Sequence, residues 1–487
     1  MISKRFIKSS LIYTLAGALP MASAIVLIPF YIKYLPTEVY GALAICLAFS
    51  AFVQIVVTYS FDSSLYIHYH ELKHTPEKLA PYISSAFIFI LALGTLAGIF
   101  FSITGQLIFA WLLPESDFSF YPYGLVSVGV GVFQSVFKVY GHLLQTREKP
   151  ETFLWANVTS FSVVAITTIV GLQLFPGSLL GPLGGRLLAN SGSAVWVLFR
   201  VFREYGFHFK SPWQNTSFSF NAYTYLYQLQ QWVVNYADRF VILFALPVAA
   251  VSTVGIYELA IKCLAPVELL LNGLNASINP QIVKAISQQE PPKTSTPEIN
   301  RYSYGLVSVI MLAVTVAILI MPWLVDWFIT KTDYSRAIPY LPYIAAIFIF
   351  KAMRLYFILP YSVLKKMNNL TAINLFVSLL KIVLMLWFIR KWELYGVIMS
   401  SALAYFIEMI LLWYYLKDHY IIRFNFFKLI AGPLALFCLI LIVEPMLGNV
   451  YPALIHFVYV GLCVMLLWFL YRNELKFLDP LKILKLK

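Results

Sequence analysis

NAYTYLYQLQQWVVNYADRFVILF, residues Asn221 to Phe244, decides the class of this chain. The stretch is apolar and long enough to cross a bilayer, for which a helix needs roughly 20 residues. It nevertheless carries Asn221, Thr224, Gln228, Gln231, Asn235, Asp238 and Arg239. Those positions advance by threes and fours, so at about 100° per residue they share one face of a helix. Facing lipid, Asp and Arg at mid-membrane cost about 2.5–3.5 kcal/mol each. The polar wall is therefore turned to water, to a solute or to neighbouring helices. The expectation is a wall that lines a solute pathway.

The rest of the chain agrees with a membrane setting. Its 487 residues are 60% hydrophobic and 12% charged, with mean hydropathy +0.78. Soluble domains are about 25% charged. Apolar windows predict about 14 spans, centred on 10–33, 39–62, 83–104, 121–145, 153–174, 178–202, 220–246, 253–278, 303–329, 337–364, 369–389, 394–416, 426–444 and 451–471. Residues 1–33 have a basic start and an apolar run too long for a typical signal peptide, so they read as an uncleaved first span. The longest loop, Gln281 to Arg301, contains PPKTSTP and reads as polar and flexible. Cys46, Cys263, Cys438 and Cys463 lie in apolar runs without metal-ligand spacing and read as buried packing residues.

Charge sets the orientation. With the N-terminus in the cytoplasm, about 23 Lys and Arg fall inside and about 5 outside, as the positive-inside rule requires. The inside set includes Lys4, Arg5, Lys8, Arg147, Lys149, Arg200, Arg203, Lys210, Lys365, Lys366 and the tail from Arg472. The outside set is Lys33, Lys331, Arg336, Arg390 and Lys391. Both termini are then cytoplasmic. The loop Gln281–Arg301 is expected inside and the loop Thr330–Ala337 outside. The net charge of +13 reports a surface facing anionic lipid rather than a nucleic-acid partner.

The chain echoes itself. EVYGALAI near Tyr40 recurs as TVGIYELAI near Ile256. QTREKPETFLWAN, with Arg147 and Asn157, resembles VLKKMNNLTAIN, with Lys365 and Asn374. GPLGGRLLA at Gly181 sits where YGVIMSSALA lies at Gly396. The offsets are all about 215 residues, which points to two six-span halves in parallel order followed by two further spans.

Ionisable residues also fall inside predicted spans at Asp62, Lys138, Arg186, Glu258, Lys262, Glu268, Lys351, Arg354, Lys381 and Glu408. Facing lipid, a dozen such groups would together cost roughly 30 kcal/mol, so most must point inward. Lys351 and Arg354 are one turn apart, Glu258 and Lys262 form an i, i+4 pair, and Lys138 is near enough to the cytoplasm to snorkel. The set leans cationic, which suits an anionic solute, and Arg suits phosphate through its bidentate fork. Arg186, Arg239, Lys351 and Arg354 are expected to converge on one water-filled cavity. Several signatures are missing: no Walker A loop, no HExxH, no GxSxG and no Cys or His metal spacing. His68, His70 and His74 read as a solvated loop face.

NYADRFVI in the seventh span, VGIYELAIK opening the eighth, GPLGGRLLA in the sixth and the turn QTREKP resemble the O-antigen and polysaccharide flippases. That family belongs to the multidrug, oligosaccharidyl-lipid and polysaccharide exporter superfamily. The resemblance implies an all-α polytopic membrane protein with two six-helix bundles around a central cavity that opens to each side in turn. The corresponding domains are 1–210, 211–418 and, with two additional helices and a tail, 419–487. It also implies a substrate, an oligosaccharide on undecaprenyl pyrophosphate moved from the inner to the outer leaflet of the bacterial inner membrane. A polysaccharide polymerase and chain-length regulators are the implied protein partners, membrane lipid the surroundings, and no cofactor, metal or nucleic acid is implied. Substrate contacts are then expected from Arg186, Gln228, Gln231, Asn235, Asp238, Arg239, Lys262, Lys351, Arg354 and Lys381. Glu258, Glu268, Glu408 and Asp62 are candidates for coupling to protons or sodium. Two alternatives stand beside this reading. A multidrug cation exporter of the same superfamily would want an anionic cavity, against the cationic surplus. A membrane-embedded transferase acting on lipid-linked sugar would want a large outside loop for its catalytic groups.

Overall fold

Apolar runs punctuated by proline and glycine fold here into helices alone, apart from one isolated bridge, among the described residues. The computed structural model describes residues 16, 19, 25–112, 120–209, 217–246, 249–290, 293–328, 332–364, 366–447 and 453–477. Most of the first expected span, Lys4, Arg5, Lys8, Lys210, Thr330, Lys331, Lys365 and the tail beyond Phe477 lie outside them. Among the described residues, eight helices are long and apolar enough to cross a membrane by length and composition. The protein is an all-helical, multi-pass membrane protein.

The helices are α1 (Ile25–Tyr34), α2 (Thr37–Thr58), α3 (Phe61–Leu72), α4 (Pro76–Leu112) and α5 (Tyr123–Thr146). Next come α6 (Pro150–Leu174), α7 (Leu180–Tyr205), α8 (Ser217–Ala245), α9 (Ala250–Cys263) and α10 (Ala265–Ser287). The chain ends with α11 (Pro297–Phe328), α12 (Leu341–Val363), α13 (Met367–Leu416), α14 (Gly432–Leu447) and α15 (Ala453–Phe477). Local chemistry sets many of these boundaries. Proline stands in the first turn of α6, α10 and α12, where its missing N–H costs nothing. Gly206 at φ 72° closes α7 in the left-handed region. Tyr59 and Ser60, both at positive φ, break the expected 39–62 span and start α3 with Asp62 in its first turn.

Other expectations are corrected. The expected 253–278 span is two helices, α9 and α10, parted at Leu264 just before Pro266. As one straight helix, α13 would be about 75 Å long, against a hydrocarbon core of about 30 Å. Glu393, at φ 46° and ψ −127°, interrupts its 50 residues, and a Cβ on Gly396 would sit 2.5 Å from the Phe388 backbone. The chain doubles back there, giving the two spans expected at 369–389 and 394–416. The Gln281–Arg301 loop is not flexible throughout. The Ser295 N–H donates to the Ile421 carbonyl at 3.0 Å, and the Ile421 N–H donates to Lys293 at 2.9 Å. The Ser295 hydroxyl and the Asn300 amide both donate to the Arg423 carbonyl. Cys438 is exposed, unlike the other three cysteines, all of which are free thiols.

The described chain divides into two compact units, 1–258 and 259–487. In the first, α5 is the central helix, packed by α2, α3, α4, α6 and α7, while α8 lies on α2, α3 and α4. The expected domain boundary near residue 210 thus precedes a helix that packs with the earlier ones. In the second unit α12 is central, against α10, α11, α13 and α14, with α15 on α11.

The first internal echo is a physical contact within the first unit. Thr37 and Ser252, 215 residues apart, bring their hydroxyls to 3.0 Å. One turn on, a Cβ on Gly41 would fall 1.8 Å from the Val251 carbonyl oxygen, and one on Gly255 2.1 Å from that of Thr37. Gly41→Ala is therefore expected to destabilise by about 1–3 kcal/mol, since backbone has to move. Gly98→Ala, with nothing within 4 Å, gains helix propensity instead. Thermal unfolding of the purified variants in detergent checks this; a Gly41→Ala midpoint at or above that of Gly98→Ala would refute it.

The orientation also has a direct check. Ser295 is buried, so exposed Glu290 and Arg336 are the better reporters of the two loops. In a cysteine-free background, Arg336→Cys is expected to react with an impermeant thiol reagent on intact spheroplasts. Glu290→Cys should react only after permeabilisation. Equal labelling would defeat the orientation.

Candidate functional site

The polar wall of α8 is not one open surface. Its C-terminal end is tied to α9. The Arg239 Nη1 donates to Asp238 Oδ1 at 2.6 Å and to the Asn235 carbonyl at 2.6 Å. Its Nε and Nη2 reach Glu258 Oε2 at 3.0 and 2.6 Å. Tyr257 donates its hydroxyl to the other Asp238 oxygen at 2.8 Å. Arg239, Asp238 and Glu258 are all buried, so one guanidinium is shared by two carboxylates where solvent does not reach. Glu258, expected to pair with Lys262, takes the Arg239 guanidinium on its Oε2.

The other end of α8 joins a second cluster. Gln228 donates its amide to Asp62 at 3.1 and 3.2 Å and accepts from Lys138 at 3.2 Å. Lys138 Nζ is 3.2 Å from the same carboxylate, and His142, one turn along α5, is 3.9 Å from it. Lys138 is thus a structural partner rather than a snorkelling side chain. His142 was not singled out by sequence, though its i, i+4 spacing from Lys138 was the available signal. Between the two clusters, Asn235 is exposed and Gln231 half-buried. Gln230, off the expected polar face, is buried with both amide atoms unpartnered among the described residues.

Arg186 is placed differently. It lies on α7, and its Nη2 donates to the Tyr31 hydroxyl of α1 at 3.1 Å. Its Nε is buried and has no partner among the described residues, and no carboxylate there pairs with it. A guanidinium held by one phenol keeps most of its five donors for an incoming acceptor.

In the second unit, α12 presents Lys351 and Arg354 one turn apart. Arg354 Nε meets Glu408 Oε1 of α13 at 2.6 Å, with Tyr405 beneath its guanidinium at 5.7 Å. Lys351 is held more loosely, 3.8 Å from Glu268 of α10. This unit therefore brings two expected substrate cations together with two expected coupling carboxylates. Lys381 is buried on α13, and the Asn374 Oδ1 on the same helix is buried without a partner among the described residues. Lys262 lies on α9.

Comparison with known proteins places this geometry. The family model described as "Polysaccharide biosynthesis protein" matches residues 6–286. Among solved structures, the chain is similar to "Lipid II flippase MurJ, inward closed conformation", with TM-score 0.74 and 15% identity over 95% of this chain and 99% of that one. An inward-facing multidrug resistance MATE family transporter of the MOP superfamily aligns with TM-score 0.59 and 12% identity, over 82% of this chain and 95% of that one. A MOP superfamily transporter from Pyrococcus furiosus aligns with TM-score 0.55 and 10% identity, over 84% of this chain and 96% of that one. At these identities the likeness is one of fold. No curated protein sequence matches the chain.

Proposed function

Because the chain belongs to the polysaccharide biosynthesis protein family, we propose that it carries a lipid-linked oligosaccharide across the membrane by alternating access. The cargo is a repeat unit such as that of O-antigen on undecaprenyl pyrophosphate, moved outward across a bacterial inner membrane with both termini cytoplasmic. The protein acts as a transporter rather than an enzyme. The observation that carries this reading is Arg186, a guanidinium within a predicted span that has no carboxylate partner among the described residues. A half-buried guanidinium with its Nε buried and unmet is costly within a span unless it has an anionic ligand.

Roles then divide by pairing. Arg186 receives the pyrophosphate through its fork. The tightly paired Arg239 and Arg354 hold helices in register. Gln231 and Asn235 offer amides to sugar hydroxyls. The membrane potential favours outward movement of anions by about 2.3 kcal/mol per charge per 100 mV. Coupling to protons or sodium runs through the carboxylates of Asp62, Glu258, Glu268 or Glu408. Depletion of the protein should make a lipid-linked oligosaccharide accumulate where an impermeant glycosidase added to spheroplasts does not reach it. An unchanged pool, or one open to the enzyme, would end the proposal.

A further inference from the structure

Away from these groups, α6 and α7 form a hairpin whose two ends are packed differently. At one end the backbones touch: a Cβ on Gly181 would lie 2.4 Å from the Gly171 carbonyl oxygen, and one on Gly185 2.4 Å from that of Thr167. The Thr167 hydroxyl also donates to the Gly185 carbonyl at 2.8 Å. The same antiparallel register, continued, sets Ser160 level with Gly192 and Thr152 level with Arg200. There the surface hollows into a groove of about 750 Å³, within the range of small-ligand sites. A Cβ on Gly192 would meet nothing within 4 Å.

The lining is graded along its depth. Glu151 and Arg200 stand at the mouth, on the end that the positive-inside rule makes cytoplasmic. Exposed Trp155 and Trp196 flank the next level, where amphipathic rings suit the headgroup boundary. Trp196 carries the Arg200 guanidinium at 5.5 Å from its ring. Below them the hydroxyl residues Thr159, Ser160 and Ser193 line the groove, and Val163 and Leu188 close the floor. From Glu151 to Val163 the groove runs about 18 Å along α6, roughly the depth of one leaflet.

We propose that this groove binds one phospholipid with a primary-amine headgroup from the cytoplasmic leaflet. Charge complementarity selects the occupant. Arg200 matches the phosphate, and Glu151 on the facing helix matches an ammonium that carries N–H donors. The hydroxyls lower in the groove receive the glycerol ester region, and the open space at Gly192 takes an acyl chain. The site is separate from Arg186 and from the clusters on α8, and it does not depend on which solute the protein carries.

The test uses the full-length protein, delipidated in detergent and offered phosphatidylethanolamine, phosphatidylcholine or phosphatidylglycerol of identical chains. Retained lipid is counted by native mass spectrometry. Wild type is expected to keep one phosphatidylethanolamine, favoured about two- to fivefold over the others, the scale of one partly exposed charge contact. Gly192→Phe fills the groove and should retain less than about a tenth as much lipid. Gly184→Phe is the folding control: its Cβ also meets nothing within 4 Å, but Gly184 does not line the groove, so retention should match wild type. Glu151→Gln should erase the preference for the ethanolamine lipid over phosphatidylcholine. Equal retention by Gly192→Phe and wild type, equal retention of all three lipids, or retention of phosphatidylglycerol alone would overturn the proposal.

Discussion

Replacing Arg239 by methionine is expected to destabilise the protein by about 3–5 kcal/mol, the usual result of breaking a buried ion pair from one side. The arithmetic is local. Arg239 is the cation between Asp238 and Glu258, and its loss leaves two buried carboxylates facing each other across α8 and α9. Methionine keeps much of the volume, so the effect is electrostatic rather than a cavity. Membrane-inserted protein should therefore fall steeply. Adding Asp238→Asn and Glu258→Gln removes both charges and should restore most of the level, because neutral partners of the same shape tolerate the loss. Protein level and thermal midpoint are the readouts. A single variant as stable as wild type, or a triple variant no better than the single, would show that the trio does not hold the helices.

Arg186 should behave in the opposite way. Arg186→Gln strands no carboxylate among the described residues, so the protein level should stay near that of wild type. Export should fall about 10- to 100-fold, as expected when a charge-assisted hydrogen bond of about 1.5–3 kcal/mol is lost. Arg186→Lys keeps the charge without the fork and should fall between the two. Arg186→Glu puts repulsion where attraction was and should stop export outright at normal protein level. Surface polysaccharide and membrane protein must be measured on the same cells. Normal export from Arg186→Glu would remove Arg186 from the pathway.

The contrast between these two arginines marks how far the sequence could be read. Both stand in predicted spans, and insertion cost says equally of each that it must turn from lipid. Whether a carboxylate waits beside it depends on helix packing. Glu258 lies 19 residues from Arg239 on the next helix, and Asp62 lies on a different helix from both Lys138 and Gln228. Helical period carries no information about such pairs. Nor does it mark Gln230, which the fold buries with an unmet amide.

Signals read over longer distances fared differently. The echo of EVYGALAI in TVGIYELAI was legible as similarity, and the structure turns it into the contact of Thr37 and Gly41 with Ser252 and Gly255. The break at Leu264 was also available, since Pro266 cannot continue a hydrogen-bonded helix interior. The order of residues 293–300 was not. Their composition is that of a loose loop, and their backbone partners, Ile421 and Arg423, are more than 100 residues away.

Transport itself is the most direct test. Protein reconstituted into vesicles would be given a fluorescent undecaprenyl-pyrophosphate-linked oligosaccharide taken from depleted cells, and its exposure to an impermeant quencher followed over time. Wild type should move the lipid between leaflets with its mass unchanged, and Arg186→Glu should not, at equal reconstituted protein. A cargo whose mass changes, or equal movement by wild type and Arg186→Glu, would contradict a pyrophosphate carrier built on that arginine.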